Sequence, residues 1–539
     1  MRLGIFLSRC RGAVGKSIDL ESLSREYENH GFVRSFEDFY DADEFDALLD
    51  EVERSEIDSM VLAGDSPLAY RRSRKGNYLF KCLVEKGINP SKIEVVNLKN
   101  MVALPHHEAS HNDLQTKAKL LIDVGIAKVT HSGPTSLVEI APRKAVAVIG
   151  ANTSSIAAAQ HLLDEGFKVY LIHKGSRIQI PPEEVPHVNA ALIFVTRHPR
   201  FQLIKNAKPI DFYGYPGDYT LRVDTGAEEL DLAVGAVILS FESDLGLIKM
   251  SQATFRMDIN ADGTLAALDR TSARAMTRER GVFVIDVTVR AKENIDQKFL
   301  AADSAAAQAI HLLNRKEIYH QVAVSQVKEE LCGGCGACVK TCMFNAVTLS
   351  GPGNVSVIDP RRCRGCGNCV TACPAGARDL VTSPSTYLFN AVDVLARFKP
   401  EGDKPLVLLL ACEGCGYESL DRSSQEGLTW PVGIMPLAVV CGGQIDMQLI
   451  MHAFVRGFDG VVMLICGEGC CHNLIGNVDL ERRVNLFKEI LSSRGVEEDR
   501  IHICTTCERE GRACIDEMGE FYRQLGAKYK EGKALVVNM

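Results

Sequence analysis

Short apolar runs alternate with longer amphipathic stretches along most of the chain, the pattern of parallel strands joined by helices. In the first part, Leu3–Leu7, Met60–Ala63 and Ile93–Val96 predict strands, and Leu114–Val124 predicts a closing helix. Pro142-Arg143-Lys144 opens a second unit. Residues 144–172 read strand, turn, helix, strand (KAVAVIG, ANTSSIAAAQHLLDEG, FKVYLI), a Rossmann-type βαβ arrangement. Turn-rich strands follow (FYGYPGDYTLRV), then a strand at Gly281–Ile285 and an alanine-rich helix at Ala301–Leu313. From 404 onward the alternation resumes: PLVLLLAC, GIMPLAVVC, a helix near Met447–Phe454, GVVMLIC, a helix near Arg482–Arg494 and the strand RIHIC.

The segment that interrupts this alternation carries Cys332-x2-Cys335-x2-Cys338-x3-Cys342 and Cys363-x2-Cys366-x2-Cys369-x3-Cys373-Pro374. This is the ligand spacing of a ferredoxin with two 4Fe–4S clusters, in which three thiolates of each run hold one cluster and the fourth reaches the other. Cys332, Cys335, Cys338 and Cys373 are expected on the first cluster, and Cys363, Cys366, Cys369 and Cys342 on the second. The runs are an internal repeat, CGGCGACVKTC against CRGCGNCVTAC. Met343 stands where the second run has Pro374, which is not a ligand position. Zinc sites favour two CxxC pairs over a triple run repeated twice.

Composition bounds the rest. A length of 539 residues suggests three to four domains at about 150 residues each. A net charge of −8 gives no overall attraction to nucleic acid or to anionic membrane. Nineteen clustered cysteines, an odd number, fit metal sites in a reducing compartment better than a secreted disulfide framework. No apolar run approaches the ~20 residues that span a bilayer, and MRLGIFLSRC has too short an apolar core for a signal peptide. A cytoplasmic location is expected, with any membrane link made through a partner.

The tail segments CEGCGY (412–417), VVCGGQID (439–446), AFVRGFDGVVMLIC (453–466) and GEGCCHNLIGN (467–477) resemble the delta subunit of methyl-viologen-reducing hydrogenase. The order of segments along the chain resembles the A subunit of heterodisulfide reductase fused to that delta subunit. The B subunit of a quinone-interacting membrane-bound oxidoreductase has a similar make-up. The resemblance implies an α/β multidomain fold: an N-terminal α/β domain at 1–140, a degenerate Rossmann-type flavoprotein unit at 141–328, a two-cluster ferredoxin module (α+β) at 329–383 and an open α/β domain at 384–539. It also implies a 2Fe–2S cluster at Cys412, Cys415, Cys441, Cys466 and Cys471, five thiols for four places. Cys412, Cys441 and Cys466 each follow an apolar strand, and strand ends of an open parallel sheet share one edge, where ligands converge. The bland reading is a set of buried inert thiols. Cys470 is read as a spare. Cys504-x2-Cys507 with Cys514 departs from the family pattern and is read as reduced free thiols or as a further metal site with Cys470.

The nucleotide turn departs from its relatives. A working dinucleotide site needs G-x-G-x-x-G after the first strand, so that the backbone can approach the pyrophosphate. Here the turn reads Gly150-Ala151-Asn152-Thr153-Ser154-Ser155, and only Gly150 remains to contact an FAD. His173 and Lys174 replace the acidic residue expected on the ribose, and AVILSFES (236–243) and GVFVIDVT (281–288) lack the usual flavin-contact turns. Gly12-Ala13-Val14-Gly15-Lys16-Ser17 ends like a P-loop, but Cys10 stands where the first glycine belongs.

These readings predict an iron–sulfur electron-transfer subunit of a multi-subunit anaerobic oxidoreductase, with two 4Fe–4S clusters, one 2Fe–2S cluster and no catalytic acid, base or nucleophile. The expected partners are a flavoprotein, heterodisulfide reductase-like B and C subunits or a quinone-reactive membrane subunit. Nucleic acid and direct membrane insertion are not expected. Two alternatives stay open: an FAD-containing electron-bifurcating subunit, and a non-catalytic scaffold.

Overall fold

The computed structural model describes residues 2–530 apart from 73, 241–253, 256–274, 278, 286–293, 323, 403, 495–496 and 508–510, and gives the backbone alone at 42, 71–72, 74–78 and 529–530. The flavin-contact stretches 236–243 and 281–288 therefore lie partly outside the described residues. The chain forms two compact units, one made of residues 1–136 with 323–539, the other of residues 137–322.

The first unit opens with a parallel sheet of β1 (Leu3–Ser8), β2 (Phe32–Phe36), β3 (Ser59–Gly64) and β4 (Ile93–Asn97), in the order β2-β1-β3-β4. The three continuous apolar runs became strands as expected. The sequence pattern did not announce β2, because this edge strand is half-buried and carries Arg34 and Ser35 in its middle. Helix α1 (His111–His131) closes the sheet, capped at its start by the Ser110 hydroxyl, which accepts from Asp113 N at 3.1 Å.

The second unit carries the Rossmann-type βαβ: β5 (Ala145–Ile149), α2 (Thr153–Asp164) and β6 (Lys168–Ile172). Five parallel strands line up as Val282–Val284, Ala236–Leu239, β5, β6 and Phe201–Ile204. A three-stranded antiparallel sheet, formed by Lys208–Tyr215, Asp218–Asp224 and Glu229–Val234, belongs to the same unit.

The chain then returns to the first unit. The cysteine runs sit in a small module with two one-turn helices, Ala337–Lys340 and Asn368–Thr371, a hairpin of Val347–Ser350 with Val355–Ile358, and a ladder of Ser325–Val327 with Arg378–Leu380. Helix α3 (Ser385–Leu395) leads into the tail. The tail contains β7 (Val407–Cys412), α4 (Gly416–Gln425), β8 (Ile434–Val439), α5 (Met447–Val455), β9 (Gly460–Cys466), α6 (Gly476–Ser493), β10 (Ile501–Thr506) and α7 (Gly511–Lys530). Its four strands are parallel in the order β8-β7-β9-β10. Their near-continuous apolar sequences reflect burial on both faces.

The N-terminal and C-terminal sheets share one hydrophobic core, which runs from Leu3 through α1 and α3 to Leu525. Polar bonds lock them together. Asn97 and Asn100 both donate to Asp421 Oδ1, at 2.6 and 2.8 Å. Lys117, wholly buried in α1, donates to the carbonyls of Val432 and Ile434 at 3.1 and 2.7 Å. Among the described residues, no helix is long and apolar enough to cross a membrane.

Candidate metal centres

The repeat in the cysteine runs is visible in the backbone. Gly334 and Gly336 have φ of +64° and +75°, and their counterparts Gly365 and Gly367 have +64° and +86°. A left-handed residue before each short helix turns the chain tightly enough to point several sulfurs inward. Cys332, Cys335, Cys338 and Cys373 line one cavity together with Leu349, Ser356 and Arg378. Three of these thiols come from the first run and the fourth from the second. The other four thiols gather separately: Cys369 and Cys366 both feel Cys363, and Cys369 also feels Cys342. Backbone N–H groups of Ser356 and Gly334 hold the Cys332 thiol below its ordinary pKa, while burial pushes Cys366 and Cys369 up.

One buried cation, not singled out by the sequence reading, joins the two groups. Arg378 donates to the hydroxyls of Ser325, at 3.2 Å, and Ser356. Ser356 Oγ lies 3.2 Å from Cys338 Sγ, and Ser325 Oγ lies 3.4 Å from Cys369 Sγ. Each hydroxyl thus meets a thiol of a different run.

In the tail, three strand ends, the start of α4 and the loop after β9 bring the five expected thiols together. Cys412 ends β7, Cys466 ends β9, and Cys441 lies two residues past β8. Cys412 Sγ and Cys466 Sγ are 3.6 Å apart. Cys471 bonds through its side chain to both Cys441 and Cys466. Cys415 Sγ is 3.8 Å from His472 Nε2, and one donor atom each from Cys415, Cys466 and His472 lie within 4.8 Å of one another. His472 is the residue of this group not named as a candidate; its place directly after Cys471 was the available signal. Gly476 leaves the space that the thiols use, since a Cβ there would collide with Cys441 Sγ and sit 3.5 Å from Cys471 Sγ. Asn477 fixes the loop by donating to the carbonyls of Cys466 and Gly467 at 3.1 and 2.9 Å.

Hydrogen bonding among these thiols splits their tendencies to ionise. Donation from Cys466, and from Gly416 N at 3.4 Å, lowers the Cys412 pKa against burial. The bond with Cys471, together with burial, pushes Cys441 well above its ordinary value. Cys412 is thus favoured as a thiolate over Cys441. Several soft sulfurs closing on one point are the donor set of a metal or iron–sulfur centre.

The ferredoxin module and the tail group meet directly. The turn Gly442–Gln444, just after Cys441, packs against the second cysteine run at Cys366–Asn368. Thr371 Oγ1 donates to Gly443 O at 3.0 Å. Arg483 donates to the carbonyls of Gly442 and Gly443, both at 3.3 Å. Cys441 and Cys366 are close enough for the charge of one to raise the pKa of the other.

Among the described residues, the four remaining tail thiols form two pairs. Cys507 faces Cys470, and Cys504 faces Cys514. In the Rossmann-type unit, Gly150 directly follows β5 with a φ of +118°, so close to Ser240 O that a Cβ would collide with it. Asn152 fills the helix start where a pyrophosphate would lie. It accepts from Ser155 N at 2.9 Å, donates to Ser240 O at 3.0 Å and accepts from Ser240 Oγ at 2.8 Å. Ser155 Oγ in turn accepts from Asn152 N at 2.7 Å. The helix N-terminus that would cradle phosphates is capped from within at Asn152 and Ser155.

Known proteins resemble this chain segment by segment. The 4Fe–4S dicluster description matches residues 331–377 and, in a second version, 355–417. The description "Methyl-viologen-reducing hydrogenase, delta subunit" matches residues 407–527. The A subunit of the ferredoxin:CoB-CoM heterodisulfide reductase of Methanosarcina mazei is 26% identical over 249 residues, 46% of this chain and 30% of that protein. The A subunit of the H2/formate:CoB-CoM heterodisulfide,ferredoxin reductase of Methanococcus maripaludis is 31% identical over 43% of this chain and 36% of its own length. The iron-sulfur D subunit of the F420-non-reducing hydrogenase of Archaeoglobus profundus is 29% identical over 126 residues, 23% of this chain and 92% of that protein. The chain spans about a third of the length of the heterodisulfide reductase relatives it matches. In one polypeptide, then, the chain combines similarity to the heterodisulfide reductase A subunit, a 4Fe–4S dicluster segment and a hydrogenase delta-subunit segment.

Proposed function

We propose that this chain is an iron–sulfur electron relay within a multi-subunit oxidoreductase, and that it passes electrons between partner subunits through three centres. Cys332, Cys335, Cys338 and Cys373 would hold one 4Fe–4S cluster, and Cys363, Cys366, Cys369 and Cys342 the other. Four donors among Cys412, Cys415, Cys441, Cys466, Cys471 and His472 would hold a 2Fe–2S cluster in the tail. Such clusters supply one-electron carriers whose potentials follow hydrogen bonding and burial at their sulfurs. The protein's own contribution is placement. Backbone N–H groups meet Cys332, the hydroxyls anchored by Arg378 meet Cys338 and Cys369, and Cys412, Cys415, Cys441 and Cys466 are buried while Cys471 is half-buried.

The observation that carries this reading is the packing of Gly442–Gln444 on Cys366–Asn368, which sets the tail thiols directly against the second cluster loop. The internal cap on Asn152 supports a path that does not run through a flavin at the Rossmann-type turn. The named activities of the relatives point to heterodisulfide reductase-like and hydrogenase-like subunits as the partners. Any membrane association would come through a partner of that kind.

The test is iron, sulfide and flavin quantification on anaerobically purified protein, followed by electron paramagnetic resonance of the reduced sample. The expected result is about ten irons per chain, two 4Fe–4S and one 2Fe–2S, without stoichiometric flavin. Colourless, iron-free protein would overturn the reading, and stoichiometric FAD would favour a bifurcating subunit.

A further inference from the structure

Four tail thiols lie outside the groups above: Cys470, Cys504, Cys507 and Cys514. The spacing Cys504-x2-Cys507 has the form of a redox motif, but side chains three residues apart at the end of a strand leave on opposite faces. Cys504 is buried and turns toward Cys514 and the Glu517 carboxylate, 3.1 Å away. Cys507 turns the other way and meets Cys470, Sγ to Sγ at 3.0 Å. Among the described residues, the only group of three or more His, Cys, Asp or Glu donors spaced to share an ion is Cys415, Cys466 and His472. Among the described residues, Cys470 and Cys507 thus form a pair rather than part of a larger donor cluster.

The pair borders the tail group on both sides. Cys470 directly precedes Cys471. Cys507 Sγ lies 3.7 Å from the Cβ position of Gly467, the residue after Cys466. Gly467 N donates to Thr506 O, and Cys470 N donates to Gly467 O, both at 3.1 Å, so the two loops are stitched together. Both thiols are half-buried and in reach of solvent protons.

We propose that Cys470 and Cys507 form a reversible disulfide, a two-electron couple placed beside the tail cluster. The proposal rests on the relay reading for its electron carriers. On oxidation the two S–H bonds break, two protons pass to solvent, two electrons leave one at a time to the iron–sulfur carriers, and an S–S bond forms. On reduction the S–S bond breaks, with two electrons from the same carriers and two protons from solvent. The sulfurs need to approach by about 1 Å to reach the ~2.05 Å of a disulfide. The couple would let a one-electron path exchange electrons in pairs at the tail.

The test uses the full-length, anaerobically purified protein, equilibrated across dithiol and glutathione redox buffers, acid-quenched, alkylated and analysed by mass spectrometry. Iron is measured on the same samples. The expected result is a Cys470–Cys507 linked peptide whose yield follows a two-electron dependence on potential. The link should vanish in Cys470→Ser and in Cys507→Ala and persist in Cys504→Ser. Thiols that remain alkylatable at every potential, or a Cys504–Cys507 link in their place, would overturn the proposal. The two readings fail separately: a linked peptide in iron-free protein would sustain the couple and remove the relay. Iron-loaded protein with both thiols always reduced would do the reverse.

Discussion

Gly443 lies so close to the carboxamide of Asn368 that a β-carbon on the glycine would collide with Asn368 Oδ1. These two residues belong to different modules, the tail turn after Cys441 and the helix after Cys366. Their contact sets how near the tail thiols come to the second cluster loop. Gly443→Ala should therefore do two things. It should cost the first unit about 1–3 kcal/mol, as overpacking does, and it should slow transfer between the ferredoxin clusters and the tail cluster while iron content stays unchanged. Freeze-quench electron paramagnetic resonance after rapid reduction would show the ferredoxin signals appearing normally and the tail signal late. Unchanged timing in a fully loaded variant would remove the junction from the path.

Arg378 is a second device invisible at the level of motifs. Its guanidinium donates to Ser325 and Ser356, whose hydroxyls meet Cys369 and Cys338. A buried positive charge stabilises the more negative, reduced form of a cluster. Arg378→Gln should lower the midpoint potentials of the 4Fe–4S clusters by on the order of 60 mV, the one-electron equivalent of about 1.4 kcal/mol. Redox titration followed by electron paramagnetic resonance reads this directly. Potentials that stay in place would show that the two hydroxyls, not the charge, set the environment.

A pH dependence follows from the joint between the two sheets. His106 Nε2 lies 2.8 Å from Lys117 Nζ, and His106 Nδ1 lies 2.8 Å from Trp430 O. The network assigns the Nδ1–H tautomer, with Nε2 accepting from the lysine. Burial pushes the Lys117 pKa down, while three acceptors and the face of Trp430 at 4.4 Å take up its protons. Burial, and then the Lys117 charge, push the His106 pKa well below its ordinary value. Below about pH 6.5 the unfolded chain therefore binds a proton at His106 that the folded chain refuses. The stability contributed by neutral His106 is present in full above that pH and is lost as the pH falls, by about 1.4 kcal/mol per unit. Anaerobic melting at pH 7.5, 6.5 and 5.5 should show the fall in the wild type and a flatter curve in His106→Gln. Equal slopes would assign the acid sensitivity to other groups.

The strands that end in Cys412 and Cys466 were legible because burial on both faces leaves unbroken apolar runs, and the ferredoxin spacing was legible because its chemistry fixes the sequence gaps. Other features depend on partners distant in the chain. Lys117 reads as a surface charge on an amphipathic helix, yet it is wholly buried because the carbonyls of Val432 and Ile434, more than three hundred residues away, receive it. Nothing local in FVRSF distinguishes an edge strand from a loop. Asn152 shows the opposite case. A polar residue in place of a motif glycine is visible in the sequence, and the structure shows that side chain capping the helix start.

The five tail thiols leave one more than a four-ligand cluster needs, and the contacts rank them. Cys466 is the common member: its sulfur meets Cys412 at 3.6 Å, bonds with Cys471 and shares the close group with Cys415 and His472. Cys415 instead pairs with the imidazole of His472 at 3.8 Å. Cys466→Ser should therefore abolish the tail signal and remove about two irons per chain, while the ferredoxin signals persist. His472→Ala keeps every sulfur and should retain the iron while changing the line shape or potential of the tail signal, because the imidazole no longer bonds to Cys415. If Cys466→Ser keeps a full tail signal, Cys466 is the spare thiol and the centre is built from Cys412, Cys415, Cys441 and Cys471. If His472→Ala also loses the two irons, the imidazole is itself a ligand.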